Sequence, residues 1–172
     1  MADGAATLIL ADTDALARTG AEAIRRLTEA ATSATFYRDD LTPEQVAANR
    51  RIVDISAPSC IAAVANAHQR FAVAFVDGAF AGYVIATCHA EHDRELDWLM
   101  VDPRFHGTPV SAALMRAGID WLGADRPLWL NVIRHNERAI RFYRKFGFEI
   151  DPHAATDHVV PHAIMRRTGG RG

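Results

Sequence analysis

Hydrophobic positions along the chain follow two different spacings. Leu16, Ala23, Leu27 and Ala31 fall on roughly one face of a helix, with a short strand, Thr7 to Ala11, before them. Asp12 or Thr13 stands where a helix cap belongs. Phe36-Tyr37-Arg38-Asp39-Asp40 has no apolar period and reads as a loop. Thr42-Pro43-Glu44-Gln45 then opens a second helix: Thr42 caps it, Pro43 fits the first helical position and Gln45 completes a capping box. This helix is expected to reach about Ile55. Pro58 is expected to break or restart it, with Ser56 as a new cap and a short helix over Cys60 to Ala67.

Beyond residue 70 the spacing changes. Phe71 to Val76 predicts a strand, Asp77-Gly78 a tight turn, and Phe80 to Cys88 the returning strand of a hairpin. After the polar turn Glu91 to Arg94, Glu95 to Val101 is a third strand. Val110, Ala113, Leu114, Ala117 and Trp121 form one apolar stripe and so a helix. Leu128 to Ile133 is a strand. Glu137 to Phe146 is a helix capped by Asn136, with Gly147 as its left-handed stop and Phe148 able to pack back on its end. Phe148 to Ile150 and Val159 to Met165 close the chain as strands. The order β-α-α-β-β-β-α-β-α-β-β predicts an α/β protein of the α+β kind, a mixed and mostly antiparallel sheet flanked by helices. A doubly wound dinucleotide fold would alternate throughout.

A length of 172 residues suits a single domain, placed at 1–168, with 169–172 as a disordered tail. The net charge of −2 carries no strongly basic footprint for nucleic acid. No run of 18 apolar residues predicts a membrane span, and the N-terminus lacks the basic start and long apolar stretch of a signal peptide, so the cytoplasm is the expected place. Cys60 and Cys88 form no CxxC pair and read as reduced thiols. His89 and His92 have no third partner, and His158 and His162 are separated by Pro161, so no metal site is expected.

The chemistry concentrates in two stretches. Arg104-Phe105-His106-Gly107-Thr108-Pro109 lies between a strand and a helix. Free N–H groups and partial positive charge at a helix start, a glycine that admits close approach and an arginine fork together suit a diphosphate. A plain surface turn with a solvated arginine fits the same letters. Thirty residues on, Asn136, Ala139 and Tyr143 share one helix face, where the small alanine leaves room for something slender. Tyr143 could equally be a core residue.

Together, Val101-x-Pro103, Arg104-x-x-Gly107-x-Pro109 and Asn136-x-x-Ala139-x-x-x-Tyr143-x-x-x-Gly147-Phe148, in that order of elements, resemble the GCN5-related N-acetyltransferase (GNAT) superfamily, over about Phe71 to Pro152. The resemblance implies acetyl-CoA as cosubstrate, with Arg104 to Pro109 around its pyrophosphate. It places Leu99, Met100 and Val101 along the pantetheine arm and acetyl carbonyl, Asn136 and Ala139 beside the arm, and Tyr143 facing the thioester sulfur. Pro109 departs from the Gly or Ala usual there and removes one N–H donor.

The implied reaction is direct acetyl transfer to a primary amine of a small molecule, peptide or protein, in a ternary complex. An amine with a pKa near 10.4 needs a base. Glu95 and Asp97, two apart, share a face if their strand is unbroken; either could instead merely pair with a cation such as Arg94. Tyr143 would give the leaving sulfur its proton. Phe36, Tyr37 and Arg38 are candidates to shape the acceptor site, and pairing into a homodimer is common among such proteins. A module that binds acyl-CoA without turning it over is the rival expectation.

Overall fold

The structure, a computed structural model, describes residues 7–10 and 13–170. The candidate cap Asp12, the strand end at Ala11 and the last two residues of the expected tail lie outside them. The elements are β1 (Thr7–Leu10), α1 (Thr13–Thr19), α2 (Ala21–Thr35), α3 (Pro43–Ala65), β2 (Gln69–Val76), β3 (Ala79–Ala90), β4 (Asp93–Val101), a 3-10 turn (Pro103–Phe105), α4 (Val110–Leu122), β5 (Leu128–Ile133), α5 (Glu137–Arg144), β6 (Glu149–Ile150) and β7 (His162–Arg167). The strands form one sheet in the order β1-β2-β3-β4-β5-β7-β6. Every neighbouring pair is antiparallel except β4 with β5. This is the mixed, mostly antiparallel sheet that the spacing predicts.

Strand alternation divides the core in two. Phe71 and Val73 of β2 point to the face covered by α2 and α3, where they join Ile24, Leu27, Cys60, Tyr83 and Ile85. Ala72 and Ala74 point to the other face and meet Leu114, Met115 and Ile119 of α4. Residues on the α4 side are small because the helix lies close. A Cβ on Gly118 would come within 2.7 Å of a Leu96 methyl, and one on Gly82 within 2.7 Å of the Met100 carbonyl oxygen. On the opposite face Tyr83 is fully buried, with its hydroxyl 2.8 Å from Thr28 Oγ1. Thr28 gives its own proton to the Ile24 carbonyl, so Tyr83 is the donor and ties the sheet to α2. Burial, and then the neighbouring Cys60 thiol, push the phenol well above its ordinary range against the opposing pull of Thr28.

Three local expectations are corrected. Pro58 does not break α3, and Ser56 is not a cap; its hydroxyl donates to the Val53 carbonyl within one continuous helix. A mid-helix proline costs about 3 kcal/mol. Here it sits on the exposed face, while Val53, Ala57, Cys60 and Ala63 are buried on both sides of it and hold the two halves in line. The capping box at Thr42 and Gln45 forms as expected. The first helical segment, by contrast, is two helices, since Gly20 takes φ 78° and ψ 150°, which no helix admits. The last strand begins at His162 rather than Val159: the Pro161 carbonyl still accepts from Arg134 N–H, but proline has no N–H to return and the ladder ends there. Asp77 and Gly78 make the tight turn with φ of 49° and 79°. No helix among the described residues is long and apolar enough to cross a membrane.

The close approach of β3, β4 and α4 makes Gly82 a sensitive position. Gly82→Ala should destabilise the protein by about 2 kcal/mol, since the obstructing atom is backbone and cannot rotate away. For a chain of this size that is a fall in Tm of roughly 4–8 °C by thermal unfolding. An unchanged Tm would mean that the two strands and the helix are not so tightly apposed.

Candidate active site

β4 and β5 share a single register pair, Glu95 with Trp129, and separate beyond it. Asp102 N–H bonds the Ala81 carbonyl on the β3 side. Strand alternation therefore turns the backbone groups of Leu99 and Val101 toward β5, where no strand meets them, while those of Met100 face β3. A cavity of 860 Å³ fills this opening.

One end of the cavity is basic and rich in donors. Gly107 takes φ 77° and brings the chain into α4, whose N-cap is Pro109 with no side-chain cap bond. The N–H groups of Ser111 and Ala112, in the first turn of α4, are therefore free to meet an anion. Ser111 and Ala112 both line the cavity, together with Arg116, Arg138, Arg141 and Lys145. Arg138 Nη1 lies 2.9 Å from His106 Nδ1. Burial, and then the charge of Arg138, lower the His106 pKa, so the ring is neutral and can accept.

The middle of the cavity is slender and partly apolar. Asn136 spends its side-chain oxygen on Ala139 N–H, capping α5 and leaving its amide N–H₂ free. Tyr143 stands a turn later on the same face and lines the cavity with Ala139. No described residue hydrogen-bonds its hydroxyl; its neighbours are the rings of Phe142 and Phe148. Solvent reaches part of the ring through the cavity, but dense surroundings desolvate the hydroxyl and raise its pKa to about 12. Across the sheet, Asn131 lines the same space with a buried Oδ1 that has no partner.

The other end is acidic. Register shifts between Ile85 and Ala86, whose partners are Trp98 and Leu96, leaving Asp97 as the extra residue of a β-bulge. Glu95 and Asp97 thus do not share the face of an unbroken strand, yet the bulge still brings both to the cavity. Glu95 is buried, and Oε2 lies 2.7 Å from His89 Nε2. Burial, and then Asp97, raise its pKa. Asp97 is open to water on its outer side, but the concave wall behind it desolvates the carboxyl and raises its pKa as well. It accepts from Thr87 Oγ1 at 3.3 Å, which in turn accepts from Gln69 Nε2 at 3.0 Å.

Of the residues singled out in the sequence, Glu95, Asp97, Leu99, Met100, Val101, His106, Gly107, Thr108, Asn136, Ala139 and Tyr143 line one cavity. Arg104, Phe105 and Pro109 do not. Arg104 grips Asp102 instead, with Nε and Nη2 at 3.0 and 2.8 Å from Oδ2, and its guanidinium lies 5.6 Å from the Phe105 ring. Asp102 also accepts from Arg104 N–H, so this arginine shapes the loop from outside. Phe36 reaches the acidic end beside Thr35 and Ile52, whereas Tyr37 and Arg38 do not line the cavity. Sequence reasoning missed the cations. Arg138, Arg141 and Lys145 are three and four apart, a helical stripe legible in the letters. Arg116 and Asn131 carried no such signal.

Residues 21–148 match the Acetyltransferase (GNAT) family, and the chain belongs to that family. Over 79 residues it is 43% identical to proteins of Mycobacterium tuberculosis and Mycobacterium bovis described as uncharacterized N-acetyltransferases. Those matches cover 44% of this chain and 49% of each relative, so the chain spans about half the length of the curated relatives it matches. Similar folds include the PaiA N-acetyltransferase of Thermoplasma acidophilum in complex with coenzyme A, with TM-score 0.69 and 17% identity over 95% of this chain and 99% of that one. Ard1 of Thermoplasma volcanium has TM-score 0.66 and 23% identity over 97% and 99%.

The Asp102–Arg104 pair makes a pH prediction. Hydrogen bonding to Arg104 holds Asp102 below the ordinary aspartate value of 3.8. A carboxyl depressed by folding stabilises the protein above that value and loses its contribution as pH falls through the folded one. Asp102→Asn should therefore lower Tm slightly at pH 7, and the difference should close as the pH is taken below 3.8. A gap of the same size at every pH would show that the charge is not what matters.

Proposed function

We propose that this chain transfers an acetyl group from acetyl-CoA to a primary amine, with both substrates bound together and no covalent enzyme intermediate. One observation carries the reading: a cavity in the β4–β5 opening joins a donor-rich basic end to an acidic end, with β4 backbone that β5 does not pair between them. The free first-turn amides of α4 and the α5 cations suit a diphosphate and its neighbouring phosphate. The missing N–H of Pro109 falls at the N-cap, ahead of those donors. The slender middle suits an extended amide-bearing arm, met by the groups of Leu99, Val101 and Asn136.

In the reaction the amine nitrogen bonds to the acetyl carbonyl carbon and the carbon–sulfur bond breaks. One N–H proton leaves the nitrogen, and one proton ends on sulfur. Glu95 takes the first: it is buried at the acidic end, and a carboxyl raised by burial is a stronger base than one in water. A backbone N–H of β4 faces the oxygen that gains charge. Tyr143 holds its proton at any working pH and donates a hydrogen bond to the departing sulfur. Complete transfer from a phenol near 12 to a thiolate whose acid lies near 8.5 is uphill by about 5 kcal/mol. The tyrosine therefore stabilises the thiolate, and the proton that ends on sulfur arrives from solvent.

Acetyl-CoA should be incubated with propylamine, spermidine, L-lysine and a tripeptide with a free N-terminus, and CoA release followed with a thiol reagent. Release that depends on an amine is expected. Binding of CoA without release across the panel would favour a sensor. Tyr143→Phe should lower kcat about tenfold or more, with little change in the KM for acetyl-CoA, because the interaction is made as the sulfur leaves. An unaltered kcat would remove Tyr143 from the chemistry. CoA at a hundred times its Kd should stabilise the chain by about 2.7 kcal/mol. The absence of any thermal shift would count against the cavity as its site.

A further inference from the structure

Glu95 has a partner that leads out of the cavity. His89 belongs to the end of β3, not to the cavity wall, and its Nε2 meets Glu95 Oε2 at 2.7 Å. The exposures are opposed: the Glu95 side chain is 9% accessible and that of His89 is 42%. One oxygen of the carboxylate therefore remains for the cavity, and the other contacts a ring that reaches water.

The ring is also held in place. It stacks on the Trp129 indole at 6.1 Å between centroids. That indole is fixed in turn by Trp129 Nε1 donating to Asp93 Oδ1 at 2.7 Å. Trp129 is the β5 residue in register with Glu95, so the one register pair between β4 and β5 also positions the pair. The charged groups facing the ring come from β4: Glu95, Asp93 and Asp97. Arg94, between them, turns away to the carbonyls of Glu91 and Leu122. β5 offers only the neutral indole. Among the described residues, therefore, the charges that act on His89 are carboxylates that favour its proton.

We propose that Glu95 and His89 act as one unit that accepts the amine's proton inside the cavity and releases it to water outside. The inference rests on the acetyl-transfer reading above. The neutral ring starts with its proton on Nδ1; in each turnover one N–H proton passes to Glu95, and one moves from the carboxyl to the bare Nε2. One then leaves the exposed ring for water, and exchange with solvent restores the starting tautomer. Charge and protons balance, with no other reactant. His89 is a positioning and relay residue; it does not touch the substrate. The arrangement solves a specific difficulty. A buried carboxyl that takes a proton at every cycle must lose it again, and the bound substrates close the cavity side.

His89→Gln separates relay from structure, since glutamine can still donate to Glu95 but cannot carry a proton through. With acetyl-CoA and the best of the four amines above, its rate of CoA release should fall about 10- to 100-fold, less than the roughly 100- to 10,000-fold that a general base itself contributes, because Glu95 is still present. In His89→Ala, added imidazole should restore part of the rate. The hydrogen bond to Glu95 is the main cause of the raised His89 pKa. NMR titration of the His89 ring should therefore move to lower pH in Glu95→Gln, and the acidic limb of the wild-type rate should coincide with the wild-type titration. A His89→Gln variant with the wild-type rate and pH profile would overturn the relay. So would a His89 titration indifferent to Glu95→Gln. A folded wild type that turns over no amine would overturn acetyl transfer itself and the relay with it. Turnover by the wild type with an unaffected His89→Gln would remove the relay alone.

Discussion

The whole arrangement depends on β4 and β5 pairing at one register position and then parting. A parallel pair zipped along its length would bond its backbone groups to each other and leave no opening. Here the pair Glu95–Trp129 fixes the hinge of the opening, and the two helix layers keep it from closing. α4 packs on β3 and β4 through Leu114, Met115 and Ile119, and α5 follows β5 with Phe142 and Tyr143 turned toward the gap. Both strands share one core with α4, to which β4 gives Leu96 and Val101 and β5 gives Leu130 and Val132, and the twist of the sheet accompanies their divergence.

That single contact has electrostatic consequences. Donors and cations line one part of the cavity, the unpaired N–H groups at the start of α4 together with Arg138, Arg141 and Lys145 along α5. The carboxyls collect at the hinge, where strand packing excludes water and raises both of them. An elongated molecule with a charged end would be oriented by this gradient before any specific contact formed. The bulge at Asp97 breaks the alternation that would have set it beside Glu95 on a regular strand, yet Asp97 still lines the cavity.

Arg104 shows how a residue can belong to a motif without lining the site. Its fork engages Asp102, and the exchange holds the turn that delivers Gly107 and the start of α4. The cations that do line the cavity come from α4 and α5 and form no part of the loop motif. In the free protein, therefore, the loop's shape and the cavity's charge are supplied by different side chains.

The letters alone determined the elements whose signals are short in range. The Thr42–Gln45 box, the Asp77-Gly78 turn, the α4 stripe and the Asn136 cap each depend on residues within a few positions of one another, and each is present as read. The spacing of Asn136, Ala139 and Tyr143 likewise set one face of α5 before any packing was known. Pro58 misled because the local rule against a mid-helix proline was overridden by burial on the opposite face of α3, which no window of sequence contains. The gap between β4 and β5, the bulge at Asp97, the retreat of Arg104 and the meeting of His89 with Glu95 were decided only by the tertiary structure. Each depends on which strands and helices lie side by side, and that neighbourhood is a property of the folded chain rather than of any segment.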